Sequence, residues 1–70
     1  PNSLSDVGVG ALCIKTGVHG AYLNVLINAS GIKDEAWANQ LLAKAKELLD
    51  DTLTACDAII EEVSTKIKAG

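Results

Sequence analysis

From Asp34 to Lys68 the chain contains neither Gly nor Pro, and its apolar residues recur at alternating steps of four and three. Ala38, Leu42, Ala45, Leu49, Thr52, Cys56, Ile59 and Val63 mark the seam, and Leu41, Leu48, Leu53, Ile60 and Ile67 widen it. That period belongs to one face of an amphipathic helix. Glu47, Asp50, Asp57 and Glu61 fall opposite. Asp34 and Glu35 open the run and Lys66 and Lys68 close it, the charge order that a helix dipole favours. A helix over 34–68 is predicted.

The preceding stretch, Val7 to Asn28, has Lys15 as its only formal charge. Val7-Gly8-Val9-Gly10 alternates and Val25-Leu26-Ile27 is β-prone, so a strand is conceivable. A helix accounts for more. Val7, Ala11, Ile14, Val18, Ala21 and Val25 form a heptad-like seam. Gly10, Gly17 and Asn24 share a second stripe, and Gly20, Asn24 and Asn28 stack at steps of four. An interior Gly costs a helix about 1 kcal/mol relative to Ala. Gly8, Gly10, Gly17 and Gly20 therefore need a reason, and close helix approach supplies one. Ser3 or Ser5 is expected to cap this helix, with Asp6 in its first turn. Gly31 is expected to end it in a left-handed conformation.

The expected fold is thus all-α: an antiparallel two-helix hairpin, helices about 6–29 and 34–68, forming one partial domain of a helical bundle. At 1.5 Å per residue the arms would measure about 36 and 51 Å. Ile59, Ile60, Val63 and Ile67 would then overhang, forfeiting roughly 6–12 kcal/mol of burial. Self-association into a dimer or tetramer, or the remainder of a larger protein, is expected to cover them. Size points the same way, because 70 residues with one Trp, one Tyr and no Phe make a thin core. Pro1 at the start and the absence of Met predict a trimmed chain or a piece of a longer one.

A net charge of −3, with six Lys and no Arg, offers no cluster for nucleic acid or anionic membranes. Val7 to Ile27 is about long enough to span a bilayer. Lys15, His19, Asn24 and Asn28 spread polar groups around it, however, and no basic or aromatic belt flanks it. Cys13 and Cys56 form neither a CxxC pair nor a zinc framework. They are expected to be buried, reduced thiols in a cytoplasmic protein.

Chemical signals are sparse. Gly8-Val9-Gly10 would need a third glycine at position 13, where Cys13 stands, so the dinucleotide fingerprint fails. His19 has no local partner to make it a base: Cys13 lies about 240° around the helix. Asp50-Asp51 and Glu61-Glu62 read as solvated face, and Tyr22 and Trp37 as packing residues. Asn24 and Asn28 are amides on one face of an apolar helix, suited to a neighbouring helix or a ligand's polar ring edge. No catalytic or metal-binding residue emerges.

The order of motifs adds a resemblance. The run Pro1-Asn2-Ser3-Leu4-Ser5-Asp6-Val7-Gly8-Val9-Gly10-Ala11-Leu12 is followed by Gly17-Val18-His19-Gly20-Ala21-Tyr22-Leu23-Asn24-Val25-Leu26-Ile27-Asn28, then by Gly31-Ile32-Lys33-Asp34-Glu35. It resembles the C-terminal part of the cyclodeaminase domain of formiminotransferase-cyclodeaminase and the related bacterial methenyltetrahydrofolate cyclohydrolases. The specific likeness covers about half the chain, and the second helix matches only in pattern. The resemblance implies an all-α bundle, normally a homodimer or larger. It also implies one-carbon chemistry on a tetrahydrofolate substrate, without a metal or a tightly bound cofactor. The two implied reactions are closure of formimino-tetrahydrofolate with loss of ammonia, or hydrolysis of methenyl-tetrahydrofolate. The implied acid–base carboxylate lies in an upstream part of the domain, so no residue here inherits it. Asp6, Asn24 and Asn28 are what carries over, for helix contacts first and substrate-pocket lining second.

Overall fold

The computed structural model describes residues 2–70, with side chains from Ser3 onward. Two helices account for nearly all of it: α1, Asn2–Ala29, and α2, Glu35–Ala69. They pack against each other and run antiparallel. The Lys15 ammonium meets the Asp57 carboxylate at 2.6 Å. Near the open end, a Cβ placed on Gly8 would lie 3.5 Å from Val63 Cγ1.

Local chemistry fixes the ends of α2. Asp34 is extended, and its carboxylate accepts from the Trp37 backbone N–H at 3.1 Å, satisfying a donor that the helix itself leaves free. Glu35 occupies the first turn and Lys66 and Lys68 the last, as the dipole favours. The link at 30–34 is held by short-range bonds. The Ser30 N–H donates to Leu26 O, Gly31 N–H to Asn28 O and Ile32 N–H to Ala29 O, at 3.2, 3.2 and 3.0 Å. Ser30 Oγ donates to Ile27 O at 2.6 Å. These bonds satisfy the last carbonyls of α1 without a left-handed residue. Among the described residues no glycine has positive φ, which corrects the expected role of Gly31.

α1 also begins earlier than expected. With its start at Asn2, Ser3, Ser5 and Asp6 stand inside the helix, and no acidic residue occupies its first turn. The added turn extends α1 along its partner. Val63 is consequently buried and Ile60 half-buried, where both were expected to overhang. Ile59 and Ile67 remain exposed.

The seam of α2 follows the sequence expectation at Ala38, Leu49, Cys56 and Val63, which are buried, and at Leu42, Ala45 and Thr52, which are half-buried. Ile59 departs from it and Ile60 takes its place. On α1 the seam is rotated. The covered residues are Leu4, Gly8, Ala11, Lys15, Val18, Tyr22, Val25 and Ala29, again at steps of four and three. Val7 and Ile14, both expected in the seam, are more than half exposed. Lys15 can sit in the seam because its aliphatic stem lies along the apolar contact while its ammonium reaches Asp57 at the edge.

The resulting core is thin. Its buried members are Ala11, Ala29, Ala38, Leu49, Cys56 and Val63, so none is larger than Leu. Among the described residues eleven large apolar side chains are exposed, including Val9, Leu12, Leu23, Ile27, Trp37 and Leu48. The hairpin is a rod of 55 × 14 × 11 Å with a radius of gyration of 16.2 Å, against about 11 Å for a globule of this length. Its accessible surface is 5195 Å², where a compact chain of 7.3 kDa has about 4,200 Å². No helix among the described residues is long and apolar enough to cross a membrane.

Candidate functional site

The candidate surface is the side of α1 turned away from α2. At 100° per residue, Asp6, Gly10, Cys13, Gly17, Asn24 and Asn28 fall in one stripe, with Ala21 at its edge where it also borders the groove toward α2. All are exposed, and the bulkiest side chain among them is Asn. This stripe contains the three residues singled out from sequence. Asn24 and Asn28 are one turn apart, about 6 Å along the axis. Asp6 lies about 27 Å from Asn24 at the other end of the helix. One chain therefore brings the two amides together and leaves the carboxylate alone. Neither amide bonds another side chain among the described residues, so both can meet an incoming group.

Among the described residues, concavities adjoin α1 on its outer side, against α2 and at the loop end. Val9, Leu12, Cys13, Thr16 and Gly17 line a hollow of about 420 Å³ on its outer side. One helix supplies every wall, so it is an open surface hollow rather than an enclosed pocket. Val18, Ala21, Tyr22, Val25, Ala45, Leu48 and Leu49 line a groove of about 160 Å³ between the helices. That volume is below the range of small-molecule pockets. At the loop end, Leu26, Ala29, Ser30, Ile32, Glu35, Ala38, Asn39 and Leu42 border a shallow hollow of about 320 Å³.

His19 is exposed, roughly 20 Å along the helix from Asp6. Among the described residues no three His, Cys, Asp or Glu side chains converge as a metal site would need. Cys13 is exposed, not buried as expected, because the rotated seam turns it outward; Cys56 is buried. Trp37 is likewise exposed, against its expected packing role, while Tyr22 is half-buried against α2. The acidic residues of α2 stay solvated. Lys46 and Asp50 pair at 2.8 Å, and Lys66 and Glu62 at 3.2 Å. The hydrogen bond that Lys46 donates to Asp50, then the Asp50 charge, raise the pKa of the Lys46 ammonium above its ordinary value.

Sequence reasoning missed the Lys15–Asp57 pair. Its signal was present, since Lys15 is the only formal charge between Val7 and Asn28 and had to find either water or a carboxylate. It also missed the hollow around Cys13, which follows only from the true orientation of α1.

The surface thus belongs to a helical hairpin that holds two amides one turn apart on an open face. Residues 1–47, covering α1, the loop and the start of α2, match the family model described as Formiminotransferase-cyclodeaminase. The chain belongs to that family. It is 36% identical over 66 residues to the methenyltetrahydrofolate cyclohydrolase of Methylorubrum extorquens, covering 94% of this chain and 32% of that protein. It is 34% identical over 62 residues to the formimidoyltransferase-cyclodeaminase of Sus scrofa, covering 89% of this chain and 12% of that protein. The Rattus norvegicus protein of the same name is 32% identical over 63 residues, 90% of this chain and 12% of its own length. The chain therefore spans about a third of the cyclohydrolase and about an eighth of the bifunctional relatives. No solved structure matches it.

Proposed function

We propose that this hairpin is the C-terminal helical element of a cytoplasmic folate one-carbon enzyme and is inactive by itself. Its substrate class is a tetrahydrofolate bearing a one-carbon unit. The reaction is closure of formimino-tetrahydrofolate to methenyl-tetrahydrofolate with loss of ammonia, or hydrolysis of methenyl-tetrahydrofolate. The family match over residues 1–47 carries this reading, because it coincides with the segment that presents the open face of α1. Asn24 and Asn28 supply both amide donors and carbonyl acceptors. In this role they contact a neighbouring helix or the polar edge of the pterin, and Asp6 serves the same face one helix length away. Either reaction moves protons at nitrogen, which requires a positioned acid or base. No such group converges here, so the acid–base carboxylate comes from elsewhere in the enzyme.

A segment exchange tests the reading. The corresponding stretch of the Methylorubrum extorquens cyclohydrolase is replaced by this chain, and loss of methenyl-tetrahydrofolate is followed by absorbance. The chimera is expected to turn over, and the free hairpin is not. A folded chimera that neither binds nor converts the substrate contradicts the folate assignment. Turnover by the free hairpin contradicts its inactivity. Asn24→Ala and Asn28→Ala in the active chimera are expected to raise KM about tenfold each, as the loss of one hydrogen bond to a substrate would.

The exposed apolar side of α1 favours a second reading, a self-associating helical module without catalysis. It predicts assembly of the free chain and an inactive chimera.

A further inference from the structure

The hollow at the loop end differs from the other concavities beside α1. Both helices and the loop supply its walls, and its volume of about 320 Å³ falls in the range of small-molecule sites. Buried Ala29 and Ala38 form its floor. Their methyl groups leave open the space that larger side chains would fill where the two helices meet. Half-buried Ile32 and Leu42, together with Leu26, make apolar walls. Ser30, Glu35 and Asn39 bring polar groups to the rim. Around Cys13, by contrast, the Thr16 hydroxyl already donates to Leu12 O, and the groove beside Tyr22 has half the volume.

The rim can accept more hydrogen bonds than it can donate. Ser30 Oγ gives its hydrogen to Ile27 O at 2.6 Å, so only its lone pairs are left to offer. The Asp34 carboxylate is occupied by the Trp37 N–H. Among the described residues the ion pairs join Lys15 to Asp57, Lys46 to Asp50 and Lys66 to Glu62, and Glu35 takes part in none. Asn39 bonds no other side chain there and keeps its carbonyl and its amide hydrogens. Lys33 is exposed and lies outside the lining. The helix dipoles leave this balance unchanged: α1 ends where α2 begins, so the negative pole of one lies beside the positive pole of the other. The charge that a ligand meets in the hollow is therefore the Glu35 carboxylate.

We propose that this hollow binds an amidinium or guanidinium group carried on a small apolar body. Such a group is planar, positively charged and rich in N–H donors, so two parallel N–H groups can meet the Glu35 carboxylate. A further N–H can reach the Ser30 hydroxyl oxygen or the Asn39 carbonyl. The faces of the group are weakly hydrated and suit walls of Leu26, Ile32 and Leu42, whereas an ammonium holds its water and gains less there. Around α1, Leu26 lies about 160° from Asn24 and Asn28. The hollow is thus separate from the amide face, and its ligand does not depend on the folate reading.

Amide NMR of the isotope-labelled full chain tests the site without any folate. Benzamidine is expected to shift the backbone signals of Ser30, Glu35 and Asn39, and the Asn39 side-chain amide, saturably and together. Benzamide, its neutral isostere, and benzylamine, its ammonium counterpart, are expected to bind about tenfold more weakly. Glu35→Gln is expected to weaken benzamidine about tenfold in a chain whose other signals are unchanged. Asn39→Asp adds a second carboxylate at the rim and is expected to tighten it about threefold, which tests the charge even if Glu35→Gln does not fold. Equal affinity for benzamidine and benzamide overturns the proposal. Shifts confined to Asp51, Glu61 and the other carboxylates on the solvated side of α2 overturn it too, as does a folded chain with no saturable shift. N-acetyl-arginine amide separates the two sources of this chemistry. Tighter binding than benzamidine assigns the hollow to an arginine side chain, and weaker binding to a free amidine, each in agreement with the proposal.

Discussion

Lys15 shows how one residue orients a helix that hydrophobicity alone does not. Its ammonium lies 2.6 Å from Asp57 and the residue is half-buried in the seam, while Val7 and Ile14 face outward. Both partners are substantially exposed, so the pair contributes little stability and acts mainly on register. Asp57→Ala is expected to cost no more than about 1 kcal/mol in urea unfolding, with the difference shrinking as salt rises. The buried Leu49 behaves differently. Leu49→Ala removes the largest side chain of a thin core and is expected to cost about 2–4 kcal/mol. Asp34→Ala is expected to cost about 1 kcal/mol by freeing the Trp37 N–H, a loss that Asp34→Ser largely restores. Gly8→Ala should stabilise the hairpin by about 0.5–1 kcal/mol, since the added methyl meets Val63 at an ordinary 3.5 Å.

At the scale of elements, α2 was legible from its sequence and α1 only partly. In α2 charged residues alternate with an apolar stripe, so Ala38, Leu49, Cys56 and Val63 could face only one way. In α1 nearly every residue is apolar or small, and periodicity loses its contrast. Ala11, Val18 and Val25 were placed correctly, while Val7, Ile14 and Ala21 were read where Gly8, Lys15 and Tyr22 stand. The early start of α1 was hidden because Ser3, Ser5 and Asp6 are good caps, yet the helix runs through them. That added turn covers Val63 and reduces the expected overhang. The loop was misread for a similar reason: Gly31 permits a left-handed end, but the bonds from Ser30, Gly31 and Ile32 close the helix without one. Asn24 and Asn28 were found on one face because a step of four survives any rotation of the helix, whereas Asp6 was not read as sharing it. That Asp6 stands a helix length from the amides needed only arithmetic along the axis.

At the scale of the whole molecule, the hairpin leaves Val9, Leu12, Leu23 and Ile27 in water on the side opposite its own seam. Two helices with a core of alanines, one leucine, one cysteine and one valine enclose too little apolar surface to stand far above chain entropy. Membership of the formiminotransferase-cyclodeaminase family gives that open side a context, since the relatives are three to eight times longer than the stretch they share with this chain. One physical expectation follows: covering the outer face of α1 should stabilise the folded hairpin. The most direct test is the midpoint of thermal unfolding, followed by circular dichroism across a hundredfold range of chain concentration. Association that stabilises the folded state makes the midpoint rise with concentration, and that rise is the predicted result. A cooperative helical transition with the same midpoint at every concentration would contradict the claim, because the hairpin would then close its core alone.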